Sequence, residues 1–329
     1  MKTVVRYFRY HLIRQIPYLL IAAGISVLFS LIPTFENRPV TAHSSPNVGY
    51  PAMVLCALSA LTPIVQLSLF KRRRNLDNLF SLPLSRKKML AVHWGTGLLI
   101  NTVIFGLCML ITALRIAKNP QFFDVFYLLP AFLLGVVWGG VLYAFFAFLF
   151  YEGNTTADGT VFVFLYCWIQ LPVGLVLEEL LPKAQEIGTF VQRLCPFSPM
   201  LKLFDYYSFL VEGNDSSAYR IHLSEVTSSI AILILGIAAA AGFFLFSSRK
   251  RVEKTEEISE SFFGYRVLLP LLCFCMFYVA AKTPMIILNI LFLAFAIGGY
   301  AFYRRGFRFK IWDWILIGVL FLGSILEKL

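Results

Sequence analysis

Two apolar runs, at residues 51–70 and 89–114, flank an eighteen-residue polar island, KRRRNLDNLFSLPLSRKK, at 71–88. About 20 apolar residues in a helix cross a hydrocarbon layer of ~30 Å, and lipid tolerates no unpaired backbone, so such a chain must fold as membrane helices joined by short turns. Seven of the eighteen island residues are Lys or Arg and only Asp77 is acidic, so the positive-inside rule holds the island in the cytoplasm. Every other segment takes its side of the membrane from it.

Within the island the charge divides into 71–74 and 86–88. Between them Leu76, Leu79 and Phe80 recur at helical spacing, which predicts a short helix with one apolar face. Asn75 can cap its start, and Pro83 disfavours helix at Leu82 and marks its stop. A two-turn helix held against a membrane by basic clusters is a docking surface for a soluble partner. The plainer reading is a basic loop that only fixes orientation.

The pattern of basic residues around a D-x-L-x-S-L-P-L-S core, between the second and third spans, resembles the cytoplasmic loop of ABC-2 type permease subunits. In that family a short coupling helix contacts a separate ATPase. The resemblance implies that Arg74, Leu76, Asp77, Leu79, Phe80, Leu82 and Arg86 meet a cytoplasmic ABC ATPase subunit. It also implies a second permease subunit in a homo- or heterodimer, and it places ATP and Mg in the ATPase, with no cofactor in this chain. It covers about residues 1–250; within the family the chain is similar to the permeases of Gram-positive Ytr-type operons.

Composition agrees with a membrane chain. Hydrophobic residues make up 59% and charged residues 14%, too apolar for a soluble globule. The expected fold is therefore all-α: a polytopic helical membrane protein of about 8–9 transmembrane helices behind an N-terminal interfacial helix, in the cell membrane with its N-terminus cytoplasmic. A net charge of +11 could point to nucleic acid, but the Lys and Arg sit in short loops beside apolar runs, where anionic lipid headgroups are the natural partners.

In chain order, residues 1–15 place Val4, Val5, Phe8 and Leu12 on one helical face and Lys2, Arg6 and Arg9 on the other, which predicts a helix in the interface plane; a charged flank is the alternative. Spans are expected at 16–33, 51–70, 89–114, 125–151, 160–177 and 227–246, forming a six-span unit over 16–250. The fourth carries Gly135, Gly139 and Gly140, a spacing that lets helices approach closely, and the fifth should kink at Gln170 and Pro172. Residues 152–159 read as a tight turn. Residues 178–226 carry four basic and seven acidic side chains, a balance that suits the outside. Within them Ile187, Val191 and Leu194 form one apolar stripe and Met200, Leu203, Tyr207 and Leu210 another, predicting two amphipathic helices. The extension 251–329 opens with a stretch readable as a soluble helix and adds spans at 267–281 and 284–303. A last run, 311–326, is only marginally long enough to cross, with Trp312 and Trp314 as interfacial anchors. Of the 29 Lys and Arg, 20 fall inside on this topology, so the assignment is self-consistent.

Few residues read as chemistry. The sequence holds no GxxxxGK[ST], HExxH or GxSxG, and its four His, at 11, 43, 93 and 222, show no metal-ligand spacing, so neither an enzyme nor a metal site is expected. The six Cys read as small buried hydrophobes, except Cys195 in an external loop. His93 should sit wet at the interface, one turn past Lys88, and no cluster of ionisable groups at one membrane depth is apparent. Substrate-pathway candidates are Asn101, Gln170, Glu178 and Glu179. Transport driven from outside the chain is the expected function, with a membrane-embedded scaffold or sensor as the alternative.

Overall fold

The computed structural model describes residues 2–31, 49–72, 83–117, 128–181, 185–195, 223–247, 263–283 and 285–327, with isolated positions at 81, 197, 256, 257, 259 and 261. Among these the secondary structure is helical throughout, with no strand. The helices are α1 (Lys2–Arg14), α2 (Ile16–Leu31), α3 (Gly49–Leu67), α4 (Arg86–Ala117), α5 (Leu128–Glu152), α6 (Thr156–Trp168), α7 (Gln170–Leu180), α8 (Gln185–Arg193), α9 (Leu223–Ser247), α10 (Tyr265–Lys282), α11 (Ile286–Arg304) and α12 (Ile311–Leu326). Six described helices are long and apolar enough to cross a membrane, and up to eight spans result if the bent pairs α1–α2 and α6–α7 each count as one. The protein is a multi-pass helical membrane protein.

Its outer surface agrees. Leu20, Ile21, Ile25 and Leu28 on α2, Leu129, Leu133 and Val137 on α5, and Ile287, Ile290 and Leu291 on α11 are all exposed. Rows of large apolar side chains at helical spacing face outward because lipid tails, not water, are their solvent.

Two helix breaks follow from local chemistry. Pro172 has no N–H to give the carbonyl of Trp168, and its ring crowds that turn, so α6 and α7 meet at Ile169 with a bend of 43°. The expected kink at Gln170 and Pro172 is this break. Between α1 and α2 the bend is 49°, at Gln15. With 16 residues α2 rises about 24 Å, short of a full hydrocarbon crossing by itself.

The contacts divide the chain into two compact units that cut across the expected 16–250 and 251–329 segments. The first comprises Met1–Phe70, Arg74–Phe148 and Pro196–Lys250. Its hub is α4, against which α1, α2, α3 and α9 all pack. Ala22, Val54, Leu58, Ile100, Ile104 and Cys108 make a core where α2, α3 and α4 meet. Gly139 of α5 lies so close to Leu55 of α3 that a Cβ would come within 2.8 Å of it, the close approach expected of that glycine. On α9, Gly236 packs against Val141 and Gly242 against Phe148 in the same way.

The second unit comprises Lys71–Arg73, Leu149–Cys195 and Arg251–Leu329. There α10, α11 and α12 pack on one another, and α7 packs on α10. Phe162 of α6 stands edge-on to Tyr265 within a core that includes Leu269, Cys273, Phe277, Tyr300 and Ile317. α8 bears the expected stripe of Ile187 and Val191 and folds back on α7, where Gly174 and Gly188 bring the two backbones together. The second expected stripe, Met200 to Leu210, lies outside the described residues. Glu256 and Glu257 form a turn and bend, so the stretch expected to be a soluble helix is not helical there. α12 matches the marginal last run, with Trp312 and Trp314 exposed on its first turn.

Candidate functional site

The polar island begins at Lys71, the last residue of a 3-10 turn that extends α3. Its side chain does not reach for lipid headgroups. It is only 4% exposed, and its ammonium donates to the Tyr151 carbonyl at 2.6 Å and to the Gly153 carbonyl, beside the rings of Phe150 and Tyr151. The C-terminal carbonyls of a helix carry its negative dipole end, so a lysine there both caps and neutralises it. Lys71 thus fastens the start of the island to the end of α5, a role the sequence reading missed because it took the whole cluster as one charged surface.

Of the residues expected to meet a partner, Arg74, Leu76, Asp77, Leu79, Phe80 and Leu82 lie outside the described residues. Pro83 and Leu84 form a bend. Arg86 is half-buried and opens α4, whose first turn is closed by the Met89 N–H donating to the Ser85 carbonyl at 3.1 Å.

Of the expected tight turn at 152–159, residues 153–155 form the bend between α5 and α6, and 156–159 already belong to α6. Thr155 caps α6 by accepting from the Asp158 N–H at 3.0 Å. The buried Asp158 carboxylate accepts from the Tyr265 hydroxyl at 3.1 Å and faces the Arg305 guanidinium at 3.8 Å. Glu152 accepts from the Ser261 hydroxyl at 2.9 Å, and Arg305 donates to the carbonyls of Glu256 and Glu257. One loop further, Asp313 receives Arg304 in a two-pronged pair at 3.0 and 3.2 Å and also accepts the Lys310 N–H at 3.0 Å. These links join the α5–α6 turn to the segments before α10 and after α11.

The four pathway candidates do not converge. Asn101, in the first unit, is buried on α4 and accepts from the Thr62 hydroxyl at 2.6 Å. Gln170 spends its amide on the Tyr166 carbonyl at 2.8 Å, serving the α6–α7 break. Glu178 is half-buried against Gly188 of α8. Glu179 is exposed and pairs with Lys282 at 3.2 Å, while Lys282 also reaches Glu327 at 2.8 Å. Such an exposed ion pair is worth about 1 kcal/mol or less.

The groups that do converge were separated in the sequence. His93 is not wet: it is fully buried, and its Nε2 lies 3.0 Å from the Tyr7 hydroxyl of α1. The His11 ring stands 3.7 Å from it, centroid to centroid, and Phe70 stacks edge-on at 4.8 Å. His11 Nδ1 lies 3.1 Å from the Thr96 hydroxyl. Nearby, the Tyr143 hydroxyl donates to Gln66 Oε1 at 3.1 Å. A buried cluster of titratable groups therefore exists in the first unit, contrary to the expectation of none. Its members come from α1, α3, α4 and α5, so linear spacing could not reveal it.

Among the described residues no three His, Cys, Asp or Glu side chains are grouped to hold a metal ion. All six cysteines are buried thiols; Cys195, expected in an external loop, donates to the Cys167 carbonyl at 3.3 Å. No family model, curated protein or solved structure matches the chain.

Proposed function

We propose that this chain is the transmembrane permease subunit of an ABC transporter, in which a separate cytoplasmic ATPase docks on the 71–88 island and drives movement of a substrate, by export. The reading rests on the resemblance of the island to ABC-2 type coupling loops. The observation that carries it is mechanical. The island leads directly into α4, and α4 is the helix on which α1, α2, α3 and α9 pack, so a push on the loop reaches the whole first unit. Its other end starts from a fastened Lys71, which gives the loop a fixed point to move against.

In this account nucleotide-driven movement of the ATPase presses on the helix expected around Leu79 and Phe80, and α4 rocks between packed positions. ATP and Mg belong to the partner. A second permease subunit completes the pathway, anionic lipids meet the basic loops, nucleic acid plays no part, and the N-terminus lies in the cytoplasm of the cell. Replacing Leu79 and Phe80 together by Asp tests it. Nucleotide-dependent transport should be lost while the chain still inserts and folds; undiminished transport in that variant would overturn the assignment.

A further inference from the structure

Ser59, Thr62 and Gln66 fall on one face of α3, and His93, Gly97 and Asn101 on one face of α4, each set spaced by three or four residues. The stripes face each other. Thr62 bonds to Asn101, and Gly97 leaves room for the Tyr143 hydroxyl to reach Gln66, since any Cβ there would overlap that hydroxyl. From His93 to Asn101 the axial rise is about 12 Å. α1 closes one end with His11 against His93, and the Tyr18 hydroxyl of α2 lies 2.9 Å from Thr62 Oγ1.

Thr96 Oγ1 lies 3.0 and 2.8 Å from the backbone carbonyls of Val92 and His93 and 3.1 Å from His11 Nδ1. His11 Nε2 is buried without a protein partner, and a neutral imidazole divides one N–H and one lone pair between its two nitrogens. The amide nitrogens of Gln66 and Asn101 and the indole Nε1 of Trp94 are likewise buried and unpartnered. His93 Nδ1 is in the same state, so three donor groups and two imidazole nitrogens without partners sit on α1, α3 and α4 of the first unit.

The geometry points to a row of ordered water molecules bound along this α3–α4 seam. An anion would satisfy the amide and indole donors but be repelled by an imidazole lone pair, and a cation would face the donors. Water offers two donors and two acceptors and binds where two to four buried polar groups converge. Hydrogen bonds through water can be exchanged as two helices shift, whereas interdigitated apolar side chains hold one register. The inference stands independently of the transport reading.

Radiolytic hydroxyl-radical labelling of the full chain in lipid nanodiscs tests it, because bound water generates the radical in place. Tyr143 and Phe146 are both fully buried in the first unit, and of the two only Tyr143 bonds to Gln66 of the seam. Tyr143 should be modified several-fold faster than Phe146. In Gln66→Leu, which removes one water ligand, its labelling should fall while that of Phe146 stays unchanged. Tyr143 labelled no faster than Phe146 in the wild-type chain would overturn the proposal without recourse to any variant, as would labelling of Tyr143 that Gln66→Leu leaves unaltered.

Discussion

Gly95 and Gly97 sit two residues apart on α4 and should respond to alanine with opposite signs. At Gly97 an ideal Cβ would overlap the Tyr143 hydroxyl and lie 2.5 Å from Gln66 Oε1. Both side chains are fully buried and bonded to each other at 3.1 Å, so neither can swing into solvent. Forcing them apart costs ~1–3 kcal/mol in overpacking, and the broken buried hydrogen bond costs a further ~1–3 kcal/mol. Removing a helical glycine returns only ~1 kcal/mol. The net loss for Gly97→Ala is therefore about 3 kcal/mol. At Gly95 a Cβ meets nothing within 4 Å, so Gly95→Ala keeps the propensity gain and loses no contact. Thermal unfolding of the two variants in the same nanodiscs, followed by loss of the tertiary near-ultraviolet signal, separates the cases. Gly97→Ala should melt several degrees below the wild type and Gly95→Ala slightly above it. A Gly97→Ala protein as stable as the wild type would show that the Tyr143–Gln66 contact between α5 and α3 is not packed against Gly97 of α4.

Lys71→Met keeps the aliphatic stem and removes the charged donor to the Tyr151 and Gly153 carbonyls; hydrogen bonds to charged groups contribute ~1.5–3 kcal/mol, and hydrogen exchange at residues 152–158 should accelerate correspondingly. Asp313→Asn leaves the 14% exposed Arg304 guanidinium without its carboxylate and should lower stability by about 3 kcal/mol, read from denaturant unfolding against Arg308→Gln as a surface control.

The spans were legible because a bilayer permits only one solution to an apolar run of this length: α3, α4, α5 and α9 fall where hydropathy puts them, and Pro172 announces the break at Ile169. Side-chain destinations were not. Lys71 and Arg72 are neighbours in one basic cluster, yet Lys71 is buried on carbonyls 80 and 82 positions away while Arg72 is exposed. Charge counts treat the two alike because they carry no information on which helix ends nearby. His11 and His93 likewise carry no shared spacing. Their meeting depends on α1 crossing the start of α4, a tertiary event that periodicity within either helix cannot encode. Of the island's candidate residues, Arg86 opens α4, so helix begins inside the polar segment and not at its end at Lys88.

Purifying the intact chain from its native membrane in mild detergent and measuring ATP hydrolysis, with identification of every stoichiometric companion, bears most directly on the central claim. The account predicts a nucleotide-binding subunit in fixed ratio to this chain and hydrolysis that disappears when Leu79 and Phe80 are both Asp. A chain that purifies without such a companion, and shows no nucleotide dependence in its native membrane, would contradict it.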